Sequence, residues 1–210
     1  PGDGMAGADL YRLIDLAKVD LMLGVPTVWL GLLDYLKQND LSIPSVKTVG
    51  VGGAASSRAL VEALDKEHGV YLLPIWGMTE TSPLATLGAK RKAMANMTED
   101  ERYGIQTTAG KPMFGIEIEI FDAETNLALI HDGETRGLLR VRGPWVLNRY
   151  YKSDKNDCFV EDEQGQTWFD TGDIATIDGD SYLKIVDRVK DVVKSGGEWI
   201  SSIDLENAAQ

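Results

Sequence analysis

V-K-T-V-G-V-G-G-A-A-S-S-R-A-L-V-E-A-L-D-K-E-H-G-V-Y-L-L-P-I, from Val46 to Ile75, decides the fold. Val46 to Val51 reads as a strand running into Gly52-Gly53. Ser56 or Ser57 then caps a helix with Leu60, Ala63 and Leu64 turned inward, and Val70 to Ile75 is a continuous apolar strand. Strands with apolar residues at every position are buried on both faces, as in a parallel sheet covered by helices.

Working outward, the same alternation holds upstream. Leu10, Leu13, Ile14 and Ala17 keep helical spacing behind Asp9 as N-cap. Asp20 to Leu23 is a short buried strand ended by Gly24 and Pro26. Thr27 caps a helix whose apolar face is Trp29, Leu32, Leu33 and Leu36. Downstream, Lys90 to Thr108 is polar and irregular, and then the period changes. Ile116 to Ile120 alternates strictly, as a half-buried strand does. Leu138 to Arg142, Trp168 to Phe169, Ile174 to Ile177 and Tyr182 to Val186 are further short strands, the last two joined by the turn Asp178-Gly179-Asp180. The expected organisation is α/β: residues 1–109 a parallel sheet layered with helices, 110–187 a small antiparallel, barrel-like β subdomain, and 188–210 a basic stretch followed by a helix beginning at Ser202.

Composition narrows the function. The 210 residues carry 33 acids against 21 bases, a net charge of -12. That balance disfavours nonspecific binding to nucleic acid or anionic lipid, yet it leaves room for a local phosphate site. A single cysteine, Cys158, permits no internal disulfide and no cysteine-built zinc site, and His68 and His131 lack metal-site spacing. No apolar run approaches the roughly 20 residues of a membrane helix, and no signal peptide is present. A cytoplasmic protein is expected, with small-molecule partners and room for a homodimer. Pro1 begins in a loop and Gln210 ends inside a helix, so the chain reads as an internal fragment.

Four clusters can carry chemistry, and each also has a plain structural reading. Gly52-Gly53-Ala54-Ala55-Ser56-Ser57 lets a flat ligand approach the backbone beside a helix N-terminus, or is simply a tight turn. Trp76-Gly77-Met78-Thr79-Glu80-Thr81-Ser82-Pro83 follows a strand's carboxyl end, where open α/β sheets place ligands. It offers a stacking ring, hydroxyls and a carboxylate suited to Mg²⁺, or is a polar loop with a core tryptophan. Thr171-Gly172-Asp173 can present a carboxylate to a ribose, or is an ordinary turn. Arg188, Lys190 and Lys194, beside Gly196-Gly197, suit a mobile loop that meets phosphates, or are a solvated charge run.

Taken in order, W-G-M-T-E-T-S-P, T-G-D and D-R-V-K-D-V-V-K-S-G-G-E-W-I-S-S resemble the adenylate-forming superfamily. The runs V-P-T-V-W-L-G-L-L-D-Y-L, from Val25, and K-S-G-G-E-W-I-S-S-I-D-L-E-N, from Lys194, look closest to medium- and long-chain fatty acyl-CoA synthetases. The resemblance implies that Gly53, Ala54 and Ala55 pack against adenine, that Trp76 stacks on it beside Gly77, that Thr79 meets the α-phosphate and that Glu80 holds Mg²⁺. It implies that Asp173 and Arg188 bind the ribose, that Lys190 is the hinge of a swinging C-terminal domain, and that Lys194 and Trp199 lie near the phosphates and the thioester site. Trp29 resembles an aromatic gate on an acyl tunnel, with a core tryptophan as the alternative.

The implied cofactor set is ATP and Mg²⁺, with CoA as co-substrate. A carboxylate attacks the α-phosphorus of ATP to give acyl-AMP and pyrophosphate, and the CoA thiol then expels AMP. Such a reaction needs phosphate charge neutralised more than it needs an acid or base. The family's Ser/Thr/Gly-rich phosphate loop and its C-terminal catalytic lysine have no match in these 210 residues, so the chain alone is expected to be inactive. A smaller departure is Gly137-Leu138, where the family often has Gly-Glu. The alternatives are a noncatalytic adenine-nucleotide-binding module, or a superfamily ligase for aryl, short-chain or amino acids.

Overall fold

Helix α1 (Gly7–Ala17) buries Ile14 and leaves Leu13 and Leu16 exposed. The computed structural model describes residues 5–152 and 157–190, together with the backbone of 193–195 and 198–200. Helix α1 starts earlier than its Asp9 suggests: Ala6 is the N-cap, and Asp9 sits in the first turn, where its charge opposes the helix dipole. Strand β1 (Leu21–Gly24) leads into helix α2 (Pro26–Gln38). Its N-cap is Val25, not the expected Thr27, because Pro26 at the first helical position has no N–H to leave unpaired. The face of Trp29, Leu32, Leu33 and Leu36 is buried as its spacing requires.

Strand β2 (Thr48–Val51), helix α3 (Arg58–His68) and strand β3 (Tyr71–Trp76) form the expected βαβ unit. Ser57 Oγ accepts the Leu60 N–H at 3.3 Å, and Gly69 ends the helix in the left-handed region at φ 65°. β1, β2 and β3 pair in parallel, with Leu23 opposite Gly50 and Gly50 opposite Leu73. Val49, Val51 and Leu72 pack under the helices in one core with Leu36, Leu60 and Leu64, each contributing on the order of 1.5–3 kcal/mol of burial. β1 is not the buried strand expected: Leu21 and Leu23 are 53% and 65% exposed. They lie on the sheet face opposite the helices, and among the described residues of this part of the chain nothing apolar covers them.

The stretch 90–108, read as irregular, contains a short 3₁₀ turn (Lys92–Asn96) and a helix, α4 (Glu99–Gln106). Thr98 and Glu101 form a reciprocal capping box that starts α4. Tyr103 is buried against α3, with Arg58 and Lys66 over its ring at 5.4 and 5.6 Å and its hydroxyl donating to Asp65 at 2.7 Å. Gln106 is buried, and its Oε1 accepts the Leu72 N–H. Short strands β4 (Thr86–Leu87) and β5 (Lys111–Pro112) flank α4 in sequence.

The later strands are β6 (Glu117–Phe121), β7 (Gly137–Arg142), β8 (Phe159–Glu161), β9 (Thr167–Ile177) and β10 (Leu183–Arg188). They form one antiparallel sheet in the order β10-β9-β7-β6, with β8 on β9. In the described residues no ladder joins β6 to β10, so the strand path is open rather than a closed barrel. The two strands expected at Trp168–Phe169 and Ile174–Ile177 are one, continuous through Asp170 to Asp173 because Gly172 takes φ 71° at an irregularity in the ladder. Arg140 is buried on this sheet, over Phe121 at 4.4 Å and bonded through Nη1 to Asn126. Strands β11 (Val193–Ser195) and β12 (Glu198–Ile200) pair where a loop was expected, and the helix expected from Ser202 lies outside the described residues.

The chain divides into two compact units, Pro1–Trp76 with Leu87–Thr108, and Gly77–Thr86 with Ala109–Gln210. Residues 77–86 join the second unit. Hydrogen bonds from Trp145 Nε1 to Leu84 O, Leu147 N to Glu80 O and Met113 N to Ala85 O hold them there. No described helix is long and apolar enough to cross a membrane.

Candidate functional site

In the first unit, Val51 stands opposite Pro74 in the parallel ladder, so the chain leaves β2 and β3 side by side at their carboxyl ends. Gly52 lies so close to β3 that an added Cβ would come within 3.2 Å of Ile75 O, and Gly53 turns the chain at φ 80°. Gly53, Ala54 and Ala55 are exposed and Trp76 is half-buried. A shelf of small residues therefore lies on the strand next to the one that ends in an indole ring, the arrangement a planar base needs. Trp29 is in a different setting: it is 3% exposed within the helix-side core, its ring against Gly24, and its indole N–H has no hydrogen-bond partner among the described residues.

In the second unit, Gly77 is a packing position, since an added Cβ would collide with the backbone of Pro83 and Leu84. Thr79 begins a single 3₁₀ turn ending at Thr81. Thr81 is buried, accepts the Met78 N–H at 2.9 Å and donates to Pro83 O at 2.8 Å, so it braces the loop and leaves the Thr79 side chain exposed. Glu80 is half-buried, and its Oε1 accepts the Tyr150 hydroxyl at 2.8 Å. Tyr150 tilts against Phe159 at 6.5 Å, and Phe159 against Phe169 of β9 at 5.6 Å. Burial first, and then the Glu80 carboxylate, push the Tyr150 hydroxyl up to about 12, so it stays a donor.

Asp173, also on β9, is 2% exposed and faces Arg188 across the β9–β10 ladder, with Arg188 Nε 2.7 Å from Asp173 Oδ1. Thr171 Oγ1 donates to Leu139 O at 2.8 Å and accepts the Asp173 N–H at 3.1 Å, which fixes the Thr-Gly-Asp turn. Lys190 is exposed in the turn after β10. Lys194 and Trp199 are register partners on β11 and β12, and their side chains lie outside those described.

No group of three or more His, Cys, Asp or Glu side chains occurs among the described residues, so they build no all-protein metal cage. One carboxylate with an oxygen free of protein partners fits Mg²⁺, which keeps few protein ligands and takes the rest from phosphates and water. Among the described residues the hydrogen bond to the Glu80 carboxylate goes to Oε1, which leaves Oε2 for that role. Tyr150 itself is a residue that sequence reasoning missed. Its only signal is the aromatic pair Tyr150-Tyr151 in a polar stretch.

The parallel sheet, with its small-residue shelf and aromatic at adjacent strand ends, is an α/β arrangement open at its carboxyl edge. Residues 2–151 match the AMP-binding enzyme family, and the chain belongs to it. It is 41% identical over its whole length to a 3-methylmercaptopropionyl-CoA ligase of Ruegeria lacuscaerulensis, covering 38% of that protein. It is 38% identical over its whole length to a medium-chain-fatty-acid–CoA ligase of Ectopseudomonas oleovorans, covering 37%. Among solved structures, the O-succinylbenzoate coenzyme A synthetase of Bacillus subtilis in complex with ATP and magnesium superposes with a TM-score of 0.76 at 25% identity, over 97% of this chain and 39% of that one. The fold is thus part of an adenylate-forming enzyme. The chain spans little more than a third of the length of the curated relatives it matches.

Proposed function

We propose that the full-length protein is an ATP-dependent acid–CoA ligase that activates a medium-chain fatty acid through an acyl-adenylate. The observation that supports it most is whole-chain similarity to acid–CoA ligases combined with a Trp76 to Glu80 run that leaves a parallel strand beside an exposed Gly-Ala-Ala shelf.

In this reading Gly53, Ala54 and Ala55 form one wall for adenine and Trp76 the other. Thr79, with its hydroxyl exposed, donates to the α-phosphate, and Gly77 lets the loop pack closely enough to carry it. Asp173, held by Arg188, accepts ribose hydroxyls. Glu80 holds Mg²⁺, which when bound neutralises phosphate charge. Lys190 is the hinge, and Lys194 and Trp199 serve the phosphate and thioester ends. Preorganised dipoles and charges around the phosphates lower the barrier without an acid or base of their own. The fatty acyl assignment follows the aliphatic acids in the names of the two relatives.

The test is turnover by the full-length protein with ATP, Mg²⁺, CoA and carboxylic acids graded from butyrate to palmitate, with benzoate included. The expected outcome is AMP and pyrophosphate release with an optimum at medium chain length. ATP binding without pyrophosphate release from any acid would overturn the ligase reading, and a tenfold preference for benzoate would overturn the fatty acyl one.

A further inference from the structure

We propose that Tyr150 is a positioning residue for Glu80: its hydroxyl binds one carboxylate oxygen and thereby presents the other to the metal that accompanies the nucleotide. The inference rests on the ligase reading above and deepens its metal site.

Two observations carry it. First, one short segment holds Glu80 twice, through Leu147 N to Glu80 O at 2.9 Å and Tyr150 Oη to Glu80 Oε1 at 2.8 Å. A glutamate side chain has three soft torsions, and a hydrogen bond to its charged oxygen is among the stronger ones available to fix them. Second, the phenol ring is itself propped. Tyr150 meets Phe159 on β8, and Phe159 meets Phe169 on β9, the strand that also carries Asp173. Glu80 and Asp173 are therefore referred to one sheet. The arrangement is that of an outer partner which orients a metal ligand without touching the metal.

The experiment uses the full-length protein with Mn²⁺ as the probe, its affinity in the presence of ATP read by electron paramagnetic resonance. Wild type, Tyr150→Phe, Glu80→Ala and the double variant are compared. Tyr150→Phe is expected to weaken Mn²⁺ binding about tenfold with the KM for the acid unchanged, and to add nothing once Glu80 is alanine. Phe159→Leu keeps the hydroxyl but removes its prop, and is expected to weaken binding in the same direction by less. It serves as the test if Tyr150→Phe does not fold. An affinity within twofold of wild type in Tyr150→Phe, a further loss in the Glu80→Ala background, or no Mn²⁺ binding by wild type with ATP would each overturn the role. Failure of wild type to release pyrophosphate would overturn the ligase reading alone.

Discussion

Arg188 Nε lies 2.7 Å from Asp173 Oδ1, and the two residues face each other in register across β10 and β9. Both were expected on one ribose, and the ion pair holds each against the other. Because Arg188→Ala takes the ion-pair partner from the buried Asp173 carboxylate, it should cost about 1–3 kcal/mol of stability. It should also weaken ATP binding, by about tenfold, since a charge-assisted donor is lost at the ligand. Calorimetric titration of the full-length protein with ATP, beside a urea melt, separates the two effects.

Gly77→Ala should be destabilising by about 1–3 kcal/mol, because the added methyl meets backbone at Pro83 and Leu84 and neither can swing aside. Gly31 is the control. It is exposed on α2 with nothing within 4 Å of an added Cβ, and Gly31→Ala should stabilise by up to about 1 kcal/mol. Urea midpoints of the two variants should move in opposite directions.

Gln106→Leu removes the acceptor of the Leu72 N–H at 3.1 Å in a buried setting. An orphaned donor there should cost about 1–3 kcal/mol. Amide hydrogen exchange at Leu72 should accelerate, and it should stay unchanged if the bond contributes nothing.

Two tyrosines should ionise late. Burial first, and then the hydrogen bond to Asp65, push Tyr103 up to about 12, and Tyr150 is pushed up to about 12 beside Glu80. Both folded-state values lie above the unfolded value of about 10. Their contribution to stability is therefore intact below about pH 10 and is lost as pH rises toward about 12. Tyrosinate absorbance should show a late phase in the native protein, reduced in Tyr103→Phe and again in Tyr103→Phe/Tyr150→Phe.

The βαβ core was legible because Val70 to Ile75 is a continuous apolar run, Val46 to Val51 runs into Gly52-Gly53, and Ser57 and Gly69 punctuate the helix between them. Helix α4 was not, since only Tyr103 and Gln106 of its residues are buried and its first turn is all charged; the Thr98–Glu101 spacing was its one readable signal. β9 was split in two by Asp170 to Asp173, whose polarity hides a strand that a left-handed glycine keeps continuous. Candidate site residues were legible where chemistry is packed into one run, as in Trp76 to Glu80. Tyr150 reaches Glu80 from 70 residues away, and no local pattern announces such a contact.

Residues 77–86 belong with the segment that follows residue 109 rather than with the strand they extend. This bears on recombination between relatives. A chimera joined only near residue 109 would bring in a foreign partner for Glu80, since Leu147 and Tyr150 would come from the other parent. A crossover at Trp76–Gly77 with a second at Thr86–Leu87 moves the carboxylate together with its supports, so those junctions are the natural seams for recombination.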